Sequence, residues 1–143
     1  MKGSAMHGFP AAAEAGDFGA VEAMLADDVV FRSPVAFRPY PGKAITISIL
    51  RAVAEVFQGL HYVRAMSDAD GRNHAYEFQA TVDGLEINGC DFLTLDEHGQ
   101  ITDFMVMVRP LRAAQALASQ MADRYPQIEA AARAWLAGPG RDQ

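Results

Sequence analysis

The chain has 143 residues, half of them hydrophobic, and a formal net charge of −6. This length suits one domain around one core, so we expect a single domain over residues 1–143 with its core at about 9–125. The acidic balance excludes a nucleic-acid-binding protein that relies on a basic face. No apolar run approaches the roughly 18 residues of a membrane-spanning helix, so we expect no membrane partner.

The cysteine content and the N-terminal segment bear on the compartment. A single cysteine, Cys90, leaves no internal disulfide. No apolar stretch follows Lys2, as it would in a secretory signal. We therefore expect a cytoplasmic protein.

The first part of the chain reads as helical, with one proline-rich interruption. Pro10 suits the first turn of a helix, and Asp17 is a candidate N-cap for a second helix. Residues 28–31 read as a short strand, and residues 32–42 hold three prolines, which predicts an irregular loop across the mouth of a cavity. An amphipathic helix follows, with apolar side chains at helical spacing at Ile45, Ile49, Val53, Val56 and Phe57.

Residues 60–109 read as four antiparallel strands. The turn signals that divide them are Asp70-Gly71, Asp83-Gly84 and residues 96–99. Pro110 ends the last strand, and Pro126 is predicted to break or kink the helix that follows. Helices followed by a meander predict an α+β fold, in which helices close a cone-like, curved antiparallel sheet around an apolar pocket.

The third strand of this meander carries the candidate catalytic residue. Alternation places one face of it inward, and that face consists of Leu85, Ile87, Gly89, Asp91, Leu93 and Leu95. A carboxylate among apolar side chains breaks the local pattern, and burial would raise its pKa. Asp91 would then act as a general base or donate a hydrogen bond as an acid. The alternative is a structural aspartate paired with an arginine, a histidine or backbone N–H groups.

Other side chains are predicted to line the same pocket. They are Ser33, Tyr40, His74, Tyr76, Phe78, Phe104, Val106 and Val108. His74 either reaches Asp91 or marks the rim of the pocket. Ser33, which precedes a proline, is equally interpretable as a turn residue, and Tyr40 as a surface aromatic residue.

The sequence leaves two points open in the strands: the orientation of His61 and Tyr62, and the role of the outer face of the last strand. His61 and Tyr62 point to opposite faces of the first strand, so only one of them enters the pocket. The last strand is apolar on both faces, and Met105 and Met107 lie on the face away from the pocket. We therefore expect a homodimer through the outer face of the sheet, with Arg109 either at that interface or at an anion site.

Several chemistries have no sequence support. The four histidines show no ligand spacing with one another or with Cys90, so no metal site is expected. No glycine-rich phosphate loop connects a strand to a helix, and we expect no cofactor.

The order of elements and three segments resemble the NTF2-like superfamily, in particular its SnoaL-like and ketosteroid-isomerase-like branches. The segments are "AGDFGAVEAMLADDVVFRSP", the helix over residues 43–57 and "NGCDFLTLDEHGQITDFMV". The resemblance implies a cone-shaped sheet, dimerisation through that sheet and a site for a small apolar molecule. In this comparison Asp91 matches the protonated aspartate of the ketosteroid isomerase oxyanion hole. Ser33 stands at the position of their aspartate base and Phe9 near that of their catalytic tyrosine, so steroid isomerase activity itself is not expected.

The resemblance leaves three functions open. The first is an isomerase, cyclase or hydrolase that uses Asp91. The second is a non-catalytic protein that binds a small apolar molecule in the same pocket. The third is a dimeric interaction module with a filled pocket. An epoxide hydrolase of this family would need Asp, Arg, Tyr and Asn together, of which only Asp91 is assignable.

Overall fold

The computed structural model describes residues 7–138. Its elements in chain order are α1 (Phe9–Ala15), α2 (Phe18–Met24), β1 (Leu25–Arg32), β2 (Tyr40–Pro41), α3 (Lys43–Val56), β3 (Gln58–Ser67), β4 (Asn73–Val82), β5 (Leu85–Leu95), β6 (Ile101–Arg109) and α4 (Leu111–Ala137). The predicted α+β class is confirmed. The sequence also predicts a loose tail from Gly138, and the residues that follow Gly138 lie outside the described range.

The strands form one sheet in the order β2-β1-β6-β5-β4-β3. The predicted antiparallel meander from β3 to β6 is confirmed. Between β4 and β5 the turn consists of Asp83 and Gly84, whose φ values of 52° and 76° require the left-handed region that the Asp-Gly pair tolerates. The sequence did not predict that β1 pairs with β6 in parallel, because strands so distant in the chain carry no local pairing signal.

The helices cover the inner face of the sheet and enclose the main core. Asp17 caps α2 as predicted, because its carboxylate accepts a hydrogen bond of 3.1 Å from the backbone N–H of Ala20. The buried apolar side chains of this core include Phe9, Val21, Leu25, Phe31, Ile47, Leu93 and Phe104. None of the helices within residues 7–138 combines the length and apolar character needed to cross a bilayer.

The C-terminal helix departs from the sequence-based expectation. Of the two outcomes predicted at Pro126, a break or a kink, the break is wrong, since α4 runs unbroken from Leu111 to Ala137 with Pro126 inside it. A proline removes one backbone hydrogen bond from a helix. Beyond it, Ile128 and Ala132 are buried, so packing on both sides of Pro126 holds the helix in one piece.

Candidate functional site

A cavity opens between the inner face of the sheet and the helices. Its volume is about 110 Å³, whereas one ordered water needs only about 10–15 Å³. Side chains from α1, α2, α3 and α4 form one wall, and side chains from all six strands, β1 to β6, form the other. The lining is almost wholly apolar and aromatic, which is the character of a small-molecule site.

The structure places most of the predicted pocket residues around this cavity. Those that line it are Ser33, Tyr40, Phe78, Asp91, Phe104 and Val106. The proline-rich segment lines the cavity through Pro34 and Val35, but the prediction that residues 32–42 are irregular throughout is wrong at Tyr40–Pro41, which pairs with β1 as β2. Phe9 also lines it, with its ring edge-on to Phe104 at 5.1 Å between centroids.

His74 and Tyr76 do not line the cavity, and their prediction as lining residues is wrong. The Tyr76 hydroxyl accepts a hydrogen bond of 2.9 Å from the backbone N–H of His7 and lies 3.1 Å from Nδ1 of His74. Nε2 of His74 lies 2.9 Å from the carbonyl oxygen of Gly71, which makes Nε2 the protonated nitrogen and Nδ1 the acceptor for the phenol. These hydrogen bonds engage the polar atoms of both side chains, whereas the hydrogen bond to the Asp91 side chain comes from Tyr62.

Val108 also departs from its predicted position. It shares a face with Val106 on β6, but it packs in a second apolar cluster with Val82, Ile87 and Leu117. The cavity reaches Leu117 of this cluster but not Val108. Alternation along a strand fixes the face of a residue, but it does not say how far along the strand the cavity extends.

Asp91 lies in the sheet wall of the cavity and is 5% exposed. On β5 its Cα pairs with Tyr76 on one side and Val106 on the other. Its Oδ2 accepts a hydrogen bond of 2.7 Å from the hydroxyl of Tyr62. Within residues 7–138 its Oδ1 has no hydrogen-bond partner, and Asp91 forms no ion pair.

These surroundings determine the pKa of the Asp91 carboxyl group. Burial raises the pKa of its carboxyl group to about 7, against the opposing effect of the Tyr62 hydrogen bond. Burial acts in this direction because an apolar wall solvates the carboxylate poorly. Near neutral pH the group therefore populates both the acid and the carboxylate forms.

Tyr62 is the functional candidate that the sequence did not single out. The pattern left His61 and Tyr62 as alternatives, and the structure turns Tyr62 into the cavity, while His61 bonds the carbonyl oxygen of Gly59 at an exposed position. Burial, followed by the charge of Asp91, raises the pKa of the Tyr62 phenol far above its usual range. Tyr62 is therefore a persistent hydrogen-bond donor to Asp91.

Gly89 explains how the wall beside Asp91 is built. A Cβ at Gly89 would lie against the ring of Phe78 and 2.8 Å from the backbone oxygen of Met107. The glycine therefore lets the Phe78 ring lie flat over β5, on the same face as Asp91. Phe78 in turn packs 6.0 Å from the ring of Tyr62, so the glycine shapes the surroundings of the Tyr62–Asp91 pair.

The mouth of the cavity has polar groups that are already engaged. The Ser33 hydroxyl accepts a hydrogen bond of 3.0 Å from the backbone N–H of Val35, which is the turn role considered as its alternative. Tyr40 packs against Tyr125 of α4 with 6.2 Å between ring centroids. Among the described lining residues, Asp91 and Tyr62 form the one hydrogen bond between two side chains.

The charge of the lining restricts the ligand. No lysine, arginine or histidine in the described part of the chain lines the cavity. An anionic ligand would find no counter-charge there, and burying an unpaired charge is strongly unfavourable. Residues 7–138 also contain no group of three or more His, Cys, Asp or Glu placed to hold a metal ion. The arrangement suits a neutral, mostly hydrocarbon molecule with one polar group at Asp91.

The curved sheet, the helices on its inner face and the central cavity define the NTF2-like class of α+β proteins. Within that class, the SnoaL-like domain family matches residues 6–104, and the chain belongs to this family. The resemblance drawn from the sequence is thereby confirmed. No curated protein sequence matches the chain.

Solved structures agree with this assignment. A steroid delta-isomerase from Pseudomonas aeruginosa is 36% identical with a TM-score of 0.82, over 92% of this chain and 98% of that one. An uncharacterized protein with a cystatin-like fold from Silicibacter pomeroyi is 31% identical with a TM-score of 0.76, over 86% and 90%. An LEH-like epoxide hydrolase from M. tuberculosis, 23% identical with a TM-score of 0.57 over 80% and 86%, shares the fold alone.

Proposed function

We propose that the protein binds a small, neutral, largely apolar molecule and that Asp91 exchanges a hydrogen bond or a proton with one oxygen of it. The observation that carries this proposal is the hydrogen bond of 2.7 Å from Tyr62 to Asp91 inside an otherwise apolar cavity. That bond occupies Oδ2 and leaves Oδ1 for a ligand. Two polar groups within reach of one ligand atom are the minimum for acid–base chemistry.

The pKa of about 7 allows both directions of proton transfer. In its acid form Asp91 donates from Oδ1 to a carbonyl, enol or epoxide oxygen of the ligand. In its carboxylate form, which the Tyr62 hydrogen bond stabilises, Asp91 accepts a proton from the ligand, and the negative charge passes to the ligand. A general acid or base works best when its pKa lies near the working pH, which favours Asp91 over any carboxylate in its ordinary range.

The relatives indicate the reaction class. The P. aeruginosa structure, 36% identical to this chain, is a steroid delta-isomerase, and we propose an isomerase, cyclase or hydrolase reaction here. We do not extend the proposal to steroid isomerisation. In this chain Phe9 has no polar group, and the Ser33 hydroxyl already accepts a bond from Val35. A separate carboxylate base and a second phenol are therefore missing from the positions where the resemblance would put them.

Thermal-shift screening tests the proposal. Sterols, terpenoids and aromatic ketones would be tested against the wild type and Asp91→Asn, with Asp103→Asn on the outer face of β6 as the control. At a hundredfold excess over Kd a true ligand raises Tm by about 9 °C. We expect ketones to stabilise the wild type and the control more than Asp91→Asn. If no compound shifts any of the proteins, the binding function is refuted.

A second candidate is a binding protein without chemistry. It is favoured by the scarcity of polar groups around the cavity, where Ser33 is engaged in a turn. Incubating a stabilising ketone or epoxide with the protein and following its conversion by mass spectrometry separates the two. Conversion by the wild type that is lost in Asp91→Asn supports the enzyme, and tight binding with no conversion supports the binding protein.

We also propose that the protein forms a homodimer through the outer face of the sheet. Met66, Phe92 and Met107 are large apolar side chains exposed on this face. The strand register aligns Met66, Ala75, Phe92 and Met105 in a row across four strands. The ion pair Arg64–Glu77 lies on two of these strands, and Arg32–Asp103 joins β6 to the neighbouring strand β1. An apolar centre with a charged border is the usual composition of a protein interface.

A further inference from the structure

Tyr62 is held at two points by the first helix. Its ring packs edge-on against Phe9 at 6.3 Å between centroids. Its backbone N–H donates a hydrogen bond of 2.6 Å to the carboxylate of Glu14, from 48 positions earlier in the chain. Phe9 and Glu14 lie at opposite ends of α1, so the helix spans the position of Tyr62.

The backbone at Tyr62 needs such a partner. Strand β3 is the last strand of the sheet, and its pairing with β4 is irregular on both sides, between Gln58 and His61 and between Tyr62 and Arg64. An edge strand with irregular pairing leaves N–H groups unpaired and lets side chains change face. At Tyr62 the backbone N–H has a side-chain partner from outside the sheet, the carboxylate of Glu14.

From these contacts we infer that Glu14 is a positioning residue, which fixes β3 so that the Tyr62 phenol points at Asp91. This inference rests on the proposed role of the Tyr62–Asp91 pair. A hydrogen bond to an ionised acceptor is shorter and stronger than a neutral one, which agrees with the short distance of 2.6 Å. The bond fixes the backbone of Tyr62, whose side chain enters the cavity. The position of this backbone sets the position of the phenol.

The charge of Glu14 acts in the same direction. After burial and Asp91, it is a further cause that raises the pKa of the Tyr62 phenol. The carboxylate thus adds to the larger effects of burial and Asp91 that disfavour ionisation of the phenol. Helix α1 is also fixed at its N-terminal side, where the backbone N–H of His7 bonds the hydroxyl of Tyr76. This bond holds α1 in place, and with it the carboxylate of Glu14.

The test compares Glu14→Ala, which removes the acceptor, with Glu14→Gln, whose amide oxygen can still accept the bond. Glu86→Ala, which replaces an exposed glutamate on β5, is the matched control. Two ligand-free NMR readouts are followed: the exchange rate of the Tyr62 amide proton and the titration midpoint of the Asp91 carboxyl carbon. In Glu14→Ala we expect amide exchange to be about tenfold faster and the Asp91 midpoint to rise, because the phenol is no longer held in place.

The conservative variant decides between positioning and general support of the edge strand. We expect Glu14→Gln to restore both readouts most of the way to wild type and the control to leave them unchanged. If the Asp91 midpoint in Glu14→Ala equals that of wild type, the inference is overturned, even if stability falls. Both readouts are taken without ligand, so their outcome does not depend on the proposed binding function. The thermal-shift screen tests that function separately.

Discussion

The phenol of Tyr62 on β3 donates a hydrogen bond of 2.7 Å to Oδ2 of Asp91 on β5, across the intervening strand β4. Both side chains line the same apolar cavity. The bond favours the carboxylate form of Asp91 and burial favours the acid form, with burial the larger effect. The chemistry proposed for the cavity depends on this balance.

The first prediction concerns stability against pH. The folded-state pKa of Asp91 is about 7, compared with an ordinary value of 3.8, so between these values the folded chain binds more protons than the unfolded chain. Stability therefore decreases as pH rises from about 4 to about 7. The pKa difference corresponds to about 4 kcal/mol in the free energy of unfolding. Below the lower value this contribution is fully present, and above the higher one it is lost.

Asp91→Asn isolates this contribution. The amide is neutral at every pH and its oxygen still accepts from Tyr62, so the variant lacks the decrease in stability caused by Asp91. We expect urea unfolding to show Asp91→Asn more stable than wild type at pH 8 and close to it at pH 4. Equal pH dependence of the two proteins over this range would show that Asp91 titrates in its ordinary range.

The second prediction concerns Tyr62→Phe. Removing the hydroxyl removes the bond that lowers the pKa of Asp91. We expect the Asp91 titration midpoint to move upward by about one pH unit, the equivalent of one hydrogen bond to a charged group. Carboxyl-carbon NMR measures this midpoint directly. Tyr40→Phe, which alters a lining tyrosine away from Asp91, is the control and should leave the midpoint in place.

The third prediction concerns Gly89→Ala. The added Cβ would meet the Phe78 ring and the Met107 backbone oxygen, and only the ring can move, into the cavity. We expect the free energy of unfolding to fall by about 1–3 kcal/mol and ligand-induced thermal shifts to shrink. Gly19→Ala is the matched control, since its Cβ would meet only Asp17 at 3.8 Å within α2. A Gly89→Ala protein as stable as wild type would contradict this account of the wall.

The fourth prediction concerns the dimer. Met107→Glu places a charge in the apolar centre of the proposed interface, where its desolvation opposes association. We expect light scattering to show a dimer for wild type and a dissociation constant at least about tenfold higher for the variant. Phe37→Glu, at a fully exposed residue of the mouth loop, should remain dimeric. A monomeric wild type at micromolar concentration would refute the proposal.

Local patterns were enough to predict much of this fold. The Asp83-Gly84 turn fixed the β4–β5 hairpin, and strict alternation along β5 placed Asp91 inward. The parallel pairing of β1 with β6 was not predictable from local patterns, because it joins distant segments. The continuation of α4 past Pro126 was not either, because buried residues such as Ile128 override the local preference.

The candidate site was predictable only in part, for a related reason. Irregular pairing of β3 around Tyr62 interrupts the alternation that would have assigned its face. Tyr76 has the same alternation as Phe78, yet His7 covers it from outside the meander. The hydrogen-bond partner of Asp91 and the extent of the cavity both depend on contacts made by the N-terminal segment. The alternation of side chains within the strands carries no information about these contacts.

The proposed role of Asp91 as a general acid or base is tested most directly by an NMR titration of its carboxyl carbon. The titration is carried out without ligand and with a saturating aromatic ketone. We predict a midpoint near 7 in the free protein. The ketone should move it upward, because the ketone oxygen accepts from the acid form and stabilises it. A midpoint below about 5 in the free protein, or one that the bound ketone lowers, would contradict the account.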